Sequence, residues 1–476
     1  LKQHIGRTKE LGLLKELLLA DYPAFVAIYG RRRIGKTFLV RTAFEGRLSF
    51  YLTGMANVKT VQQLANFSYA LRNADLSGRD RPAAGSWSEA FQQLREYLET
   101  TSEKKKIIFL DELPWLDSPR SGFLPALEHF WNSWAAHRND ILLVTCGSAA
   151  SWMIHKLLRS RGGLHNRVTH RIHLQPFTLA ECEAFFLSRQ IVLDRYQQLL
   201  LYMTIGGVPF YLEQVKPGWS ADQAIQELCF SASGLLRTEF TFLFPSLFQK
   251  ADQHEAVIEA LAKKGMGLLR AELLELTGLP NAGSSTRILE ELEEAGFIRR
   301  YRPLGKKAYG YFYQLCDPYC LFYLKWIRHS DAGDTQYWIS SIDSSKRRAW
   351  SGYAFEQICL LHSRQIVEAL KIAGIQLSLA AWRGIAGKET AQIDLVIDRK
   401  DATVNLCEMK FSTGPYTIQR AEAANLSRKM ELFREATGTR KTIFLTFITS
   451  FGIRPNEYAS SLVQHDFDMS VLFQDV

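Results

Sequence analysis

The sequence predicts an α/β chain of several domains, built first around a parallel sheet. Three features carry this expectation. The chain has 476 residues, too many for one ordinary core. Short apolar runs at 24–29 (AFVAIY), 107–110 (IIFL) and 141–144 (ILLV) alternate with helical stretches. From about 254 the pattern changes to short helices followed by strand pairs.

Hydrophobic residues make up 47% of the chain and charged residues 22%, which supplies apolar cores and excludes a disordered chain. No apolar run reaches the ~18 residues that span a bilayer. The N-terminal LKQHIGRTKELGLLKELLLA reads as an amphipathic helix and not as a signal peptide, so the expectation is a cytoplasmic protein without a membrane partner. Cysteines at 146, 182, 229, 316, 320, 359 and 407 lack paired CxxC spacing and read as reduced thiols in cores. The net charge of +9 favours a polyanion without saying which, so the location of the charge has to decide.

The run AFVAIY is followed at once by GRRRIGKT and then by FLVRTAFEG with helical spacing. Strand, glycine loop and helix are the setting of a P-loop. Gly30 and Gly35 let the backbone turn its N–H groups around phosphates, and the following helix N-terminus adds partial positive charge. Lys36 is expected to reach the β and γ phosphates of ATP, and the Thr37 hydroxyl to ligate Mg2+. The loop residues Arg31, Arg32, Arg33 and Ile34, with Phe38 behind them, complete the predicted nucleotide surface.

The strand IIFLDE ends in two carboxylates, at the sheet edge where parallel α/β folds place ligands. Asp111 is expected to hold the metal, and Glu112 to orient and deprotonate the attacking water. A third strand, ILLVTCGS, brings Thr145 or Ser148 to the same edge as a sensor of the γ-phosphate. Arg161, Arg167 and Arg171 lie in a polar stretch before the strand IHLQPF. Arg167 is the best candidate among them for a phosphate contact, in its own chain or in a neighbouring copy of a homo-oligomer.

These segments, with IGRTKEL at 5–11, TCGSAASWM, LHNRVTHRIHLQPFTLAE and IGGVPFYL at 205–212, resemble the archaeal-type ATPases, a branch of the AAA+/STAND-like P-loop class. The resemblance implies a helical lid over the nucleotide carrying a Gly-x-Pro turn, here Gly207 and Pro209, and it brings Arg7 to the adenine side. Relatives usually carry glycine before the arginine at 167, where this chain has Asn166.

HEAVIEALAKK, LLRAELLELTG and SSTRILEELEEAG read as three helices, and FIRRYRPLGKKAYGYFYQL as two strands around a turn. These are the elements of a winged helix. Its wing holds Arg299, Arg300, Arg302, Lys306 and Lys307 without an acid, which suits DNA phosphates. The third helix carries Glu290, Glu291, Glu293 and Glu294, leaving Arg287, Ser284 and Ser285 as its possible readers. Nonspecific DNA contact and a purely structural connector both remain open.

The stretch at 331–349 is polar and reads as a linker. Beyond it, Glu356 begins a helix, and AQIDLVID and VNLCEMK form a hairpin if 399–403 is the loop, which sets Asp394 opposite Glu408 with Lys410 on the same face. Such a set can hold a divalent cation through oxygen ligands, with the lysine helping to activate water. Glu, Asp, Glu-x-Lys in this order resembles the PD-(D/E)xK nuclease superfamily, a restriction-endonuclease-like mixed α/β fold that accompanies these ATPases. That resemblance makes Asp394 and Glu408 ligands of Mg2+ or Mn2+, Lys410 the catalytic lysine and Glu356 an accessory ligand.

The expected organisation is a P-loop core at 1–175, a lid at 176–249, a winged helix at 250–330, a linker at 331–349 and a nuclease-like domain at 350–476. The expected function is an ATPase coupled to a DNA-directed nuclease. The competing expectation is a STAND-type switch whose C-terminal fold only binds a partner or DNA.

Overall fold

The computed structural model describes residues 5–476, except 76–80, 150–151, 159–163, 165, 249, 305–309, 332–333, 335 and 387–388. The chain divides into two compact units, Leu1–Gln175 and Pro176–Val476.

The first unit is organised by a five-stranded sheet: β1 (Ala24–Tyr29), β2 (Leu48–Thr53), β3 (Lys106–Asp111), β4 (Ile141–Gly147) and β5 (His170–His173), in the order β2-β3-β4-β1-β5. Every pairing is parallel. Parallel strands are covered on both faces, which explains why β1, β3 and β4 are almost continuous apolar runs. Side chains alternate between two cores. Phe25, Ala27, Ile108, Leu110 and Leu143 pack with residues of helices Thr60–Ala74, Trp87–Thr100 and Phe123–Ser133. Ala24, Val26, Ile28, Ile107, Phe109, Leu142 and Val144 pack with Leu14 and Leu17 of helix Thr8–Leu19 and with Leu39 and Val40 of helix Lys36–Ala43. The first helix is secured at its end by Lys105, whose ammonium donates to the carbonyls of Ala20 (2.7 Å), Tyr22 (2.8 Å) and Asn139 (2.9 Å). Terminal carbonyls that a helix cannot satisfy itself thus gain a cation.

The second unit begins with helices Leu179–Ser188 and Arg195–Ile205. Thr178 opens the former with a reciprocal cap, its hydroxyl accepting from Glu181 N–H while Glu181 accepts from Thr178 N–H. These helices are fastened to the C-terminal part. Tyr196 stacks on Phe411 and Phe451, each at 5.2 Å. His362 accepts from Leu179 N–H at 3.2 Å through Nε2, while its Nδ1 donates to the Ile358 carbonyl at 2.9 Å. Those two bonds require neutral imidazole, and burial pushes its pKa down to about 4.

Helices Ala251–Ala262, Arg270–Thr277 and Gly283–Glu294 follow, with a small antiparallel sheet of β6 (Leu268–Leu269), β7 (Ile298–Tyr301) and β8 (Phe312–Leu315) in the order β6-β8-β7. Within the stretch expected to be a linker, Trp338 is instead part of a core. Trp338 is fully buried, packed against Phe322 and Trp326 (5.1 Å each) and Trp350 (5.5 Å). Its indole N–H donates to Asp222 at 2.8 Å, and the Arg347 guanidinium lies over its ring at 4.1 Å. A polar composition hid one large aromatic that anchors the segment.

The last sheet contains β9 (Leu377–Ala386), β10 (Glu389–Arg399), β11 (Thr403–Lys410), β12 (Thr442–Thr449) and β13 (Val463–Phe467), in the order β13-β12-β11-β10-β9. It is mixed: the pairs β9–β10 and β10–β11 are antiparallel, and the pairs β11–β12 and β12–β13 are parallel. Helix Arg420–Thr437 packs Leu426, Leu432 and Phe433 on one face, with Trp382, Val396 and Leu406. The chain beyond β7 joins this sheet's edge, where Leu304 N–H donates to the Ala381 carbonyl at 2.9 Å. An otherwise open strand edge is partly covered by it.

Candidate functional sites

Three residues of the glycine loop have positive φ: Gly30 (143°), Arg33 (70°) and Gly35 (89°). A side chain at Gly30 would collide with the Leu174 carbonyl, so glycine is required there by space as well as by torsion. Ile34 is buried in the sheet core and offers the loop only its backbone, while Arg32 and Phe38 are exposed. Arg31 is buried.

Lys36 heads its helix and is 6% exposed. Its ammonium folds back over the loop and donates to the carbonyls of Gly30 (3.0 Å) and Arg31 (2.9 Å), and burial lowers its pKa. Thr37 donates its hydroxyl to Asp111 Oδ2 at 2.7 Å, which joins the loop to the tip of β3. Burial raises the pKa of Asp111, against the bonds from Thr37 and from Glu112 N–H. Glu112 has φ 48° and ψ 48°, a left-handed conformation uncommon outside glycine and asparagine. Its Oε2 accepts from the Ser148 hydroxyl (2.7 Å) and N–H (3.2 Å).

Of the two sensor candidates, Ser148 therefore meets the acidic tip. Thr145 is turned into the sheet and donates to the Val26 carbonyl at 3.2 Å. Arg7 is buried, and its guanidinium donates to the Gln175 carbonyl. Arg167 is exposed just before β5, and Arg161 lies outside the described residues. Asn166 has φ 58°, so it adopts the conformation that glycine takes freely and asparagine tolerates. Gly207 and Pro209 belong to the second unit, where a side chain at Gly207 would strike the Phe177 carbonyl and Pro209 starts a short helix.

In the C-terminal sheet, Asp398 pairs with Val404 and Leu395 with Cys407, and Asp394 lies just beyond that last pair, where β10 bulges against β9. Lys410 Nζ lies 2.9 Å from Glu408 Oε1. Glu356 belongs to the same cluster: burial, then Asp394 and Glu408, push its pKa up to about 8. Sequence reasoning missed three members. Lys429 Nζ lies 2.8 Å from Glu408 Oε2, Glu422 is 3.5 Å from Lys410, and Tyr416 donates its hydroxyl to Glu422 at 2.7 Å. Glu422 and Lys429 are seven residues apart on one helix, a spacing that places them on one face. Burial alone would raise the Glu408 pKa, but Lys429 and Lys410 hold it below the ordinary carboxylate value. Among the described residues, no group of three or more His, Cys, Asp or Glu side chains is disposed to hold a metal ion.

The expected DNA contacts fare unevenly. Arg299 is a correction: its guanidinium points inward, donating to Gln314 (3.0 Å) and Gln357 (2.9 Å), and burial lowers its pKa. Alternation along β7 turns Arg299 and Arg300 to opposite faces, and Arg299 lies opposite Gln314 of β8. Ser285 is also buried and donates to the Pro280 carbonyl, so it reads no base edge. Arg300 pairs with Glu293 at 3.0 Å, and the guanidinium groups of Arg300 and Arg302 lie over the Tyr311 ring at 5.0 and 4.3 Å. Arg287 pairs with Glu291 at 2.8 Å on an exposed helix face. Lys306 and Lys307 lie outside the described residues.

A parallel sheet bearing a glycine loop, with an acidic strand tip against the loop's threonine, defines a P-loop ATPase domain. Residues 5–215 match the family described as an ATPase domain predominantly from Archaea, which supports an ATPase domain of P-loop type in this part of the chain. An uncharacterized protein of Methanocaldococcus jannaschii is 26% identical over 420 residues, which cover 86% of this chain and 87% of that one. Among solved structures, the Walker-type ATPase of Pyrococcus abyssi is similar in fold with a TM-score of 0.50 at 16% identity, over 68% of this chain and 96% of the other. Cdc6p from Pyrobaculum aerophilum aligns with a TM-score of 0.34 at 17% identity, over 68% and 94%. Among the described residues no helix is long and apolar enough to cross a membrane.

Proposed function

We propose that the chain binds ATP in the loop 30–38 and hydrolyses its terminal phosphate. The observation that carries this reading is the 2.7 Å bond between Thr37 and Asp111, with Glu112 held beside it by Ser148. The hydroxyl and carboxylate are the hard oxygen donors that magnesium takes, so this set fits the ion. Magnesium bound there would neutralise charge that develops on the phosphates.

The chain's own residues do the rest. Loop N–H groups and the helix start bind phosphate oxygens. Lys36, now on two neutral carbonyls, exchanges them for phosphate oxygens and contributes a charge that low local dielectric makes effective. Glu112 takes the proton from the attacking water, and Ser148 fixes where its carboxylate points. Steady-state ATP hydrolysis with Lys36→Ala and Glu112→Gln tests the reading. Wild-type rates in both would end it.

For the second unit we propose a lid at 176–249, a winged-helix-like module at 250–330 and a nuclease-like sheet at 350–476 that engages DNA under control of the nucleotide state. The convergence of Glu356, Asp394, Glu408 and Lys410 supports the nuclease-like layout. Their donors as arranged do not fit a divalent ion, because both Glu408 oxygens are taken by ammonium groups. That detail favours a C-terminal domain that binds over one that cuts, the arrangement of an ATP-dependent switch. Incubating linear DNA with Mg2+ or Mn2+ and either wild type or Lys410→Ala separates the two, since only a nuclease loses cleavage in the variant.

A further inference from the structure

The order Glu, Asp, Glu-x-Lys asks for a metal at Glu408, and the chain has put something else there. Glu408 Oε1 faces Lys410 at 2.9 Å, and Oε2 faces Lys429 at 2.8 Å. Two other acids are also engaged: Asp394 accepts from the Gln392 amide, and both oxygens of Glu422 accept from Tyr416. Lys429 and Glu408 are only 19% and 16% exposed, so solvent and salt screen their attraction little. Leu426, Leu432 and Phe433 are buried on the same helix and fix its face toward the sheet, so the ammonium is delivered by packing and not by a wandering surface side chain.

We propose that Lys429 is the resident cation of this cluster: its ammonium occupies the place on Glu408 that a divalent ion would need, and such an ion binds only when Lys429 is withdrawn. Lys410 keeps a second carboxylate, Glu422, so it is the less committed of the two lysines. The inference rests on the nuclease-like reading of the sheet, and it adds a residue that this reading does not contain.

The test is a titration of the full-length, nucleotide-free protein with Mn2+, followed by the paramagnetic resonance of the free ion. Asp111→Asn is present throughout to silence the first site. With Lys429 in place, no site tighter than about 1 mM that depends on Glu408 is expected. Lys429→Met should gain one by about 10-fold or more, a further Glu408→Gln should remove it, and Lys429→Arg, which retains the charge, should gain nothing. A Glu408-dependent Mn2+ site in the presence of Lys429 overturns the proposal, as does a folded Lys429→Met protein with no gain. If Lys429→Met melts early, Lys429→Gln is judged by the same criteria. Fluorescence anisotropy with labelled DNA in the same proteins tests the parent reading separately: absence of DNA binding defeats that reading while the Mn2+ result still decides the role of Lys429.

Discussion

Both ends of the molecule set a lysine among carboxylates, and they use it in opposite ways. At the glycine loop, Lys36 bonds to two neutral carbonyls, and Asp111 and Glu112 are satisfied by hydroxyl and N–H donors. At the C-terminal sheet, Lys410 and Lys429 bond directly to the two oxygens of Glu408. The first arrangement leaves every charge exchangeable for a ligand of opposite sign. The second has already spent its charges on each other. A lysine close to an acid is therefore weak evidence of a site, and the neutrality of its present partners is the stronger sign.

The largest test of this contrast is at the loop. Lys36→Ala should reduce ATP hydrolysis by about 10^3-fold, and Glu112→Gln by about 10^2–10^3-fold while nucleotide binding persists, because the cradle stays and only the base is lost. Equal loss of binding in Glu112→Gln would break the division of labour.

The next effect is on stability, and it has opposite signs at the two ends. Glu408→Gln leaves two partly buried ammonium groups facing a neutral amide and should cost on the order of 2 kcal/mol in chemical denaturation. Asp111→Asn keeps an acceptor for Thr37 and removes a carboxylate that burial disfavours, so it should leave the melting temperature unchanged or raise it. Similar losses in both would erase the comparison.

A buried group with no charged partner gives the reference. His362 has a folded pKa of about 4 against 6.5, so as pH falls the unfolded chain takes the proton first. Its contribution is complete above pH 6.5 and is lost between 6.5 and 4, on the order of 3 kcal/mol in all. Denaturation followed at several pH values should show that slope in wild type and a shallower one in His362→Gln.

The smallest effect expected is Ser148→Ala, about a 10-fold fall in kcat with little change in KM, since it frees Glu112 to wander without removing the base. A change confined to KM would return Ser148 to the role of a phosphate sensor.

Much of this was legible from residues alone. The glycine loop, the acid-tipped strand and the hairpin register depend on local spacing, and local spacing is what a sequence displays. Asn166 was readable only as a departure; its φ of 58° shows that it meets the same backbone demand as glycine. Lys429 was invisible because it reaches Glu408 from a helix 21 positions later. The stretch around Trp338 was misread for a related reason: its small and polar residues outvoted one indole, although that indole is fully buried. Arg299 counted as surface charge because composition reports how many arginines a strand has and not which way the pleat turns them.

The stacking of Tyr196 on Phe411 and Phe451, and the bond from Leu179 to His362, have a practical corollary. Homology draws a border at residue 215, whereas packing draws one between Gln175 and Pro176. Truncation at the former would strip two helices of the surface they grip and leave aromatic rings facing water. Anyone wishing to divide this protein should follow the seam at 175.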